Sequence, residues 1–216
     1  GGLNHDVINS AKDFGIVPLS AYSGLTNGQT TFDHSKMVKE IEVIVKDNAK
    51  KPQAGWKQQV ETILDNNMGK DITEFTYEGK KYTPKSFLEM TGVKLNDYVT
   101  VTSFTHRPFY TTFILDIPDN FANGSFYNVP LNDFVKVVDD ALSKGYTLAL
   151  DADVSEKTFS GQNGIAVIPD SADDTKTILT EIKPEKNITQ ELRETESENF
   201  NTTDDHLMHS AGKVKE

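Results

Sequence analysis

The densest grouping of chemistry-bearing side chains is the run Asn201-Thr202-Thr203-Asp204-Asp205-His206-Leu207-Met208-His209. An imidazole beside carboxylates can relay protons near neutral pH, or it can hold a metal ion. Metal binding needs His206 and His209 to face the same way. Residues three apart share a face on a helix, but on the strand expected here they point to opposite sides, so no metal site is expected. Taken by itself, a single histidine beside two aspartates reads as an ordinary surface residue. The chain contains Cys 0, which excludes disulfides, thiolate metal sites and a thiol nucleophile of its own. A second acidic run, Asp151-Ala-Asp153-Val-Ser-Glu156, is superficially a calcium loop. It lacks the glycine at the sharp turn and has Gln162 where a bidentate glutamate should fall, so it reads as a loop beside a cleft. His5 reads as a first-turn helix residue, and His106, between Thr105 and Arg107-Pro108, has no chemical role assigned by its neighbours.

The elements that position these residues follow from apolar spacing. Asn4 is the expected cap of a helix on Val7, Ile8, Ala11 and Phe14, with Gly15 as its stop. Asp33 or Ser35 opens a second helix through Met37, Ile41, Ile44 and Val45, and a third runs from near Gly55 to Met68. Phe75 to Tyr82 alternates around a glycine-containing turn and predicts a hairpin. Thr83-Pro84 opens a short helix to Thr91. Strands are expected at Tyr98–Phe104, Thr111–Ile117, Tyr146–Asp151 and Gly164–Ile168, and a helix on Leu131, Phe134, Val135, Val138 and Leu142 that Gly145 closes. The stretch 169–201 is polar and weakly patterned and reads as an excursion or loop. Helices come first and strands later, which predicts an α+β fold.

Bulk properties exclude several function classes. Apolar residues at 36% and charged residues at 25% describe a globular chain. A net charge of -11 repels polyanions and anionic lipid, so no nucleic-acid partner is expected. No apolar run approaches the roughly 18 residues of a membrane helix, so no membrane partner is expected either. Nothing in the sequence assigns a compartment.

Four phrases are more specific. Thr102-Ser-Phe-Thr-His106-Arg-Pro-Phe-Tyr110, Ser125-Phe-Tyr-Asn-Val-Pro-Leu131, Gly145-Tyr-Thr-Leu-Ala-Leu-Asp-Ala-Asp-Val-Ser-Glu156 and Thr202-Thr-Asp-Asp-His206-Leu-Met208 resemble papain-like cysteine peptidases of the bleomycin hydrolase and bacterial aminopeptidase C branch. The order of segments agrees: a glycine pair before the helix from Asn4, then a helix, a strand, a short hairpin and the histidine strand. The resemblance implies an incomplete papain-like fold, with 1–95 as a helical-lobe segment bearing an insertion and 96–216 as a β-rich lobe segment.

It implies also a cysteine-type aminopeptidase, hydrolysing peptides from their N-termini without a cofactor. His206 would be the general base and then general acid for a cysteine expected upstream of Gly1. Gly1 and Gly2 would offer main-chain groups to an extended peptide, unless the pair is a cloning remnant. The orienting asparagine, the oxyanion-binding glutamine and the C-terminal tail of the family are expected outside the chain, which should then be inactive alone. Relatives commonly form ring-shaped hexamers, so the parent is expected to be a homo-hexamer. The rival expectation is a papain-fold domain that has lost its catalytic residues and binds peptides or a protein.

Overall fold

The computed structural model describes residues 2–26 and 28–213, and Gly1, the first of the two glycines singled out above, lies outside them. Helix α1 (Asn4–Phe14) opens the chain. Asn4 is its first helical residue rather than its cap; Asp6 accepts the Leu3 N–H at 2.8 Å instead, satisfying a donor the helix leaves open. The chain divides into two compact units, Ser10–Lys94 and Gly1–Asn9 with Leu95–Glu216. The boundary passes through α1, so the first residues group with the strand-rich unit rather than with the helices that follow them.

In the unit Ser10–Lys94, α2 (Ser35–Lys50) and α3 (Trp56–Met68) form a helical hairpin. Asp33 sits before α2 and accepts the Ser35 N–H at 3.0 Å. Strands β1 (Phe75–Tyr77) and β2 (Lys80–Tyr82) pair antiparallel around Glu78-Gly79. Helix α4 (Pro84–Thr91) follows, with Thr83 Oγ1 accepting the Ser86 N–H at 3.2 Å and Ser86 Oγ accepting the Thr83 N–H at 2.9 Å. That reciprocal cap aims α4 so that buried Phe87 packs edge-on against Phe75, Tyr77 and Tyr82 at centroid distances of 5.3, 5.1 and 5.7 Å.

The other unit carries the candidate chemistry. Strands β3 (Val101–Thr102), β4 (Thr112–Ile114) and β5 (Ser125–Asn128) form a sheet of order β3-β5-β4, parallel on one side and antiparallel on the other. The strands expected at 98–104 and 111–117 are thus shorter, and β5 was not expected. Fully buried Asn128 ends β5, and its amide bonds the 104–108 turn. Helix α5 (Leu131–Ser143) leads into β6 (Leu148–Ala152). The short strands β7 (Phe159–Ser160) and β8 (Ile165–Ala166) pair with each other. The polar stretch 169–201 is not a plain loop, for it contains α6 (Gln190–Glu198), capped by Thr189 Oγ1 accepting the Leu192 N–H at 3.1 Å. The last strand, β9 (His206–Ser210), pairs antiparallel with β6 in the register Ala152↔His206 to Leu148↔Ser210.

Candidate functional site

His206 is the first residue of β9, facing Ala152 across the ladder, and its side chain is exposed. The backbone pairing fixes the base of the ring while leaving its two nitrogens without a hydrogen-bond partner among the described residues. His209, three residues along the same strand, is exposed on the opposite pleat. Among the described residues no three histidine or acidic side chains are grouped so as to hold a metal ion.

The two aspartates before His206 are both occupied. Asp205 Oδ2 accepts the Val154 N–H at 3.2 Å and the Ser155 N–H at 3.1 Å, and Asp205 Oδ1 accepts from Thr203 Oγ1 at 3.1 Å. Across from it, Asp153 Oδ1 accepts the Ser155 N–H at 2.8 Å and the Ser155 hydroxyl at 2.6 Å, while Asp153 Oδ2 accepts the Thr203 N–H at 2.8 Å. Partial burial pushes the Asp153 carboxyl upward, but the hydrogen bonds from Ser155 and Thr203 outweigh it and hold it down at about 2. The run Asp151–Glu156 is therefore a brace, not a calcium loop: reciprocal carboxylates stitch 153–155 to 203–205 and set the entry of β9.

Asp204 interacts instead with Asp151 and Asp119. Desolvation, followed by the hydrogen-bonded carboxyl of Asp151 and the charge of Asp119, pushes the Asp204 carboxyl up to about 7. Asp151 Oδ1 is buried and accepts from no N–H or hydroxyl of the described residues, so a proton held by Asp204 is the donor available to Asp151.

Gly2 has φ 127, a backbone conformation that favours glycine, and a Cβ there would touch Asp6 and the Phe121 ring at 3.6 Å each. The segment 119–121 thus lies near both Gly2, through the Phe121 ring, and Asp204, through Asp119. That segment is held by buried Asn120, whose Nδ2 donates to Leu115 O at 2.8 Å and Gly124 O at 2.9 Å. Asn120 Oδ1 accepts the Gly124 N–H at 2.8 Å and lies 2.9 Å from His5 Nε2, which makes Nε2 the protonated nitrogen of His5. Gly124 has no room for a side chain, because a Cβ would stand 2.1 Å from His5 Nε2.

His106 belongs to a separate cluster. Its Nδ1 lies 2.7 Å from Glu194 Oε1, and the same buried carboxylate accepts the Thr105 N–H at 2.7 Å and the His106 N–H at 3.2 Å. Burial works against the Glu194 charge, but these donors hold the carboxyl below its ordinary range. His106 also packs on Phe104 and Phe113, so its contacts anchor the 104–108 turn to α6.

No family model matches this chain, and no curated protein sequence does. Among solved structures, PepW from Lactobacillus rhamnosis HN001, in a crystal structure determined as the selenomethionine derivative, superimposes with a TM-score of 0.60. The chain shares the fold of PepW. The alignment covers 98% of this chain and 52% of PepW at 17% sequence identity, so the chain spans about half the length of PepW. At that identity the likeness shows the mixed α and β fold alone.

Proposed function

We propose that this chain is the histidine-bearing part of a papain-like cysteine aminopeptidase, of the kind represented by bleomycin hydrolase and aminopeptidase C. The observation that carries the reading is the setting of His206: first in β9, paired to β6, braced from behind by Asp153 and Asp205, with both ring nitrogens open. The resemblance of the four sequence phrases to that branch and the PepW-like fold support it.

In this reading a thiol from outside these 216 residues lies against His206. The imidazole takes the thiol proton, the thiolate attacks the carbonyl of the N-terminal residue, and the imidazolium returns the proton to the leaving amine. Asp205 does not orient the ring, since its oxygens are engaged by Val154, Ser155 and Thr203. A side chain from elsewhere must do that, as an asparagine does in the family. Gly2 offers a main chain without Cβ to an extended substrate.

The test is activity on aminoacyl coumarin amides with a thiol reductant. The chain alone gives no turnover. A longer product of the same gene that carries the cysteine hydrolyses them, is silenced by a thiol alkylator, and loses about 10³-fold or more in kcat on His206→Ala. A longer product with no cysteine, or one indifferent to His206→Ala, would replace this reading with that of a peptide-binding domain.

A further inference from the structure

The stretch after β8 folds back on itself. Lys186 N–H donates to Ile168 O at 2.8 Å and Asp170 N–H to Pro184 O at 3.0 Å, with Pro169 bridging Glu185. Buried Thr158 donates its hydroxyl to Val167 O and fixes the neighbouring turn. Together these bonds lay Glu185, Lys186 and Ile188 beside Phe159, Val167 and Ile168, around a depression of about 290 Å³.

Its floor is apolar and incompletely covered: Ile168 is 39% and Ile188 44% exposed, and Phe159 and Val167 are half-buried. Its lining also includes three carboxylates, Asp153, Glu156 and Glu185, against the one ammonium of Lys186. Glu156, Glu185 and Lys186 make no side-chain hydrogen bond or ion pair among the described residues, so the acidic excess is not neutralised from within. Asp153 directly follows Ala152, the register partner of His206.

We propose that this depression receives a lysine or arginine side chain of a peptide, its aliphatic stem on Phe159, Val167, Ile168 and Ile188 and its cationic head among Asp153, Glu156 and Glu185. A long cationic side chain is the one peptide component that covers apolar surface along its stem and carries its charge to the carboxylates. The inference takes the peptide from the peptidase reading above, but its charge preference comes from the depression itself.

Binding needs no nucleophile, so the chain as it stands can be tested. The probes are the tripeptides Ala-Lys-Ala and Ala-norleucine-Ala, which differ at the middle side chain by an ammonium, titrated into isotopically labelled protein and followed by NMR. The lysine peptide is expected to bind about fivefold more tightly at low salt. Its shift changes should fall on 153–159, 165–168 and 185–188, and Glu156→Gln with Glu185→Gln should abolish the preference while leaving the spectrum folded. Equal affinity for the two peptides, no binding, or shifts centred elsewhere would overturn the proposal. None of these outcomes touches the peptidase reading, which fails only if the cysteine-bearing product is inactive or indifferent to His206.

Discussion

Asn128 is fully buried and spends its amide on backbone: Oδ1 accepts the Phe104 N–H at 2.8 Å, and Nδ2 donates to Phe104 O at 2.8 Å and Arg107 O at 2.9 Å. Truncating it would leave several polar groups unsatisfied in a dry setting. Asn128→Ala is therefore expected to cost about 3 kcal/mol in denaturant unfolding. His206 is the converse case, its side chain exposed and without a hydrogen bond among the described residues, so His206→Ala should shift stability by less than about 0.5 kcal/mol in the same measurement. A large stability loss on His206→Ala would show that the residue holds β9 rather than serving chemistry. The two residues were also unequally visible in the sequence. His206 stood out because the run around it resembles the histidine segment of the bleomycin hydrolase and aminopeptidase C branch, not because imidazole beside two carboxylates is decisive by itself. Asn128 lay unremarked between Tyr127 and Val129, where a polar residue among apolar ones was the available sign of a satisfied buried amide. Nothing in the sequence could show that Glu194 reaches His106, a pairing between residues 88 apart.

At the scale of elements, helices α1, α2, α3 and α5 and the hairpin β1–β2 were legible because their apolar residues repeat at the period of the element, and α4 because Thr83-Pro84 announces its start. Two elements were not. β5 holds only Phe126 and Tyr127 as apolar residues, and it is made a strand by its neighbours β3 and β4. α6 has the polar sequence QELRETESE and is held by what it binds, through Glu194 and through Arg193 stacked 4.5 Å from the Phe104 ring centroid. The β6–β9 pair carries a prediction of its own. The Asp204 carboxyl is pushed up to about 7 from an ordinary 3.8 by desolvation, then by Asp151 and Asp119. Between those values the native chain holds a proton that the unfolded chain has lost, so stability falls as pH rises through the window and levels above it. Asp204 is exposed as a residue, which keeps the effect modest. Asp204→Asn keeps a donor toward Asp151 and removes the titration. Its melting temperature should exceed the parent's by about 2–4 °C at pH 8 and match it near pH 4. Identical profiles for the two proteins would mean that Asp204 titrates as an ordinary surface carboxylate.

For the molecule as a whole, the decisive feature is apolar surface: Phe14, Phe121 and Phe200 are exposed by 74%, 69% and 82%. Faces of this kind are what a larger assembly covers, and water alone covers them at a cost. Opposing their association is the net charge of -11, which makes copies of the chain repel one another at pH 7. Which effect wins depends on screening: at about 0.02 M salt the repulsion reaches across roughly 20 Å, and at about 0.5 M it is confined to roughly 4 Å. Sedimentation velocity at pH 7.5 should therefore find a slowly sedimenting species at low salt and a weight-average sedimentation coefficient that climbs with added salt. The same climb should follow at low salt as pH falls toward the isoelectric point near 4.9. A coefficient unchanged by both treatments would show that the open apolar faces do not drive association, and that charge is not what keeps copies of the chain apart.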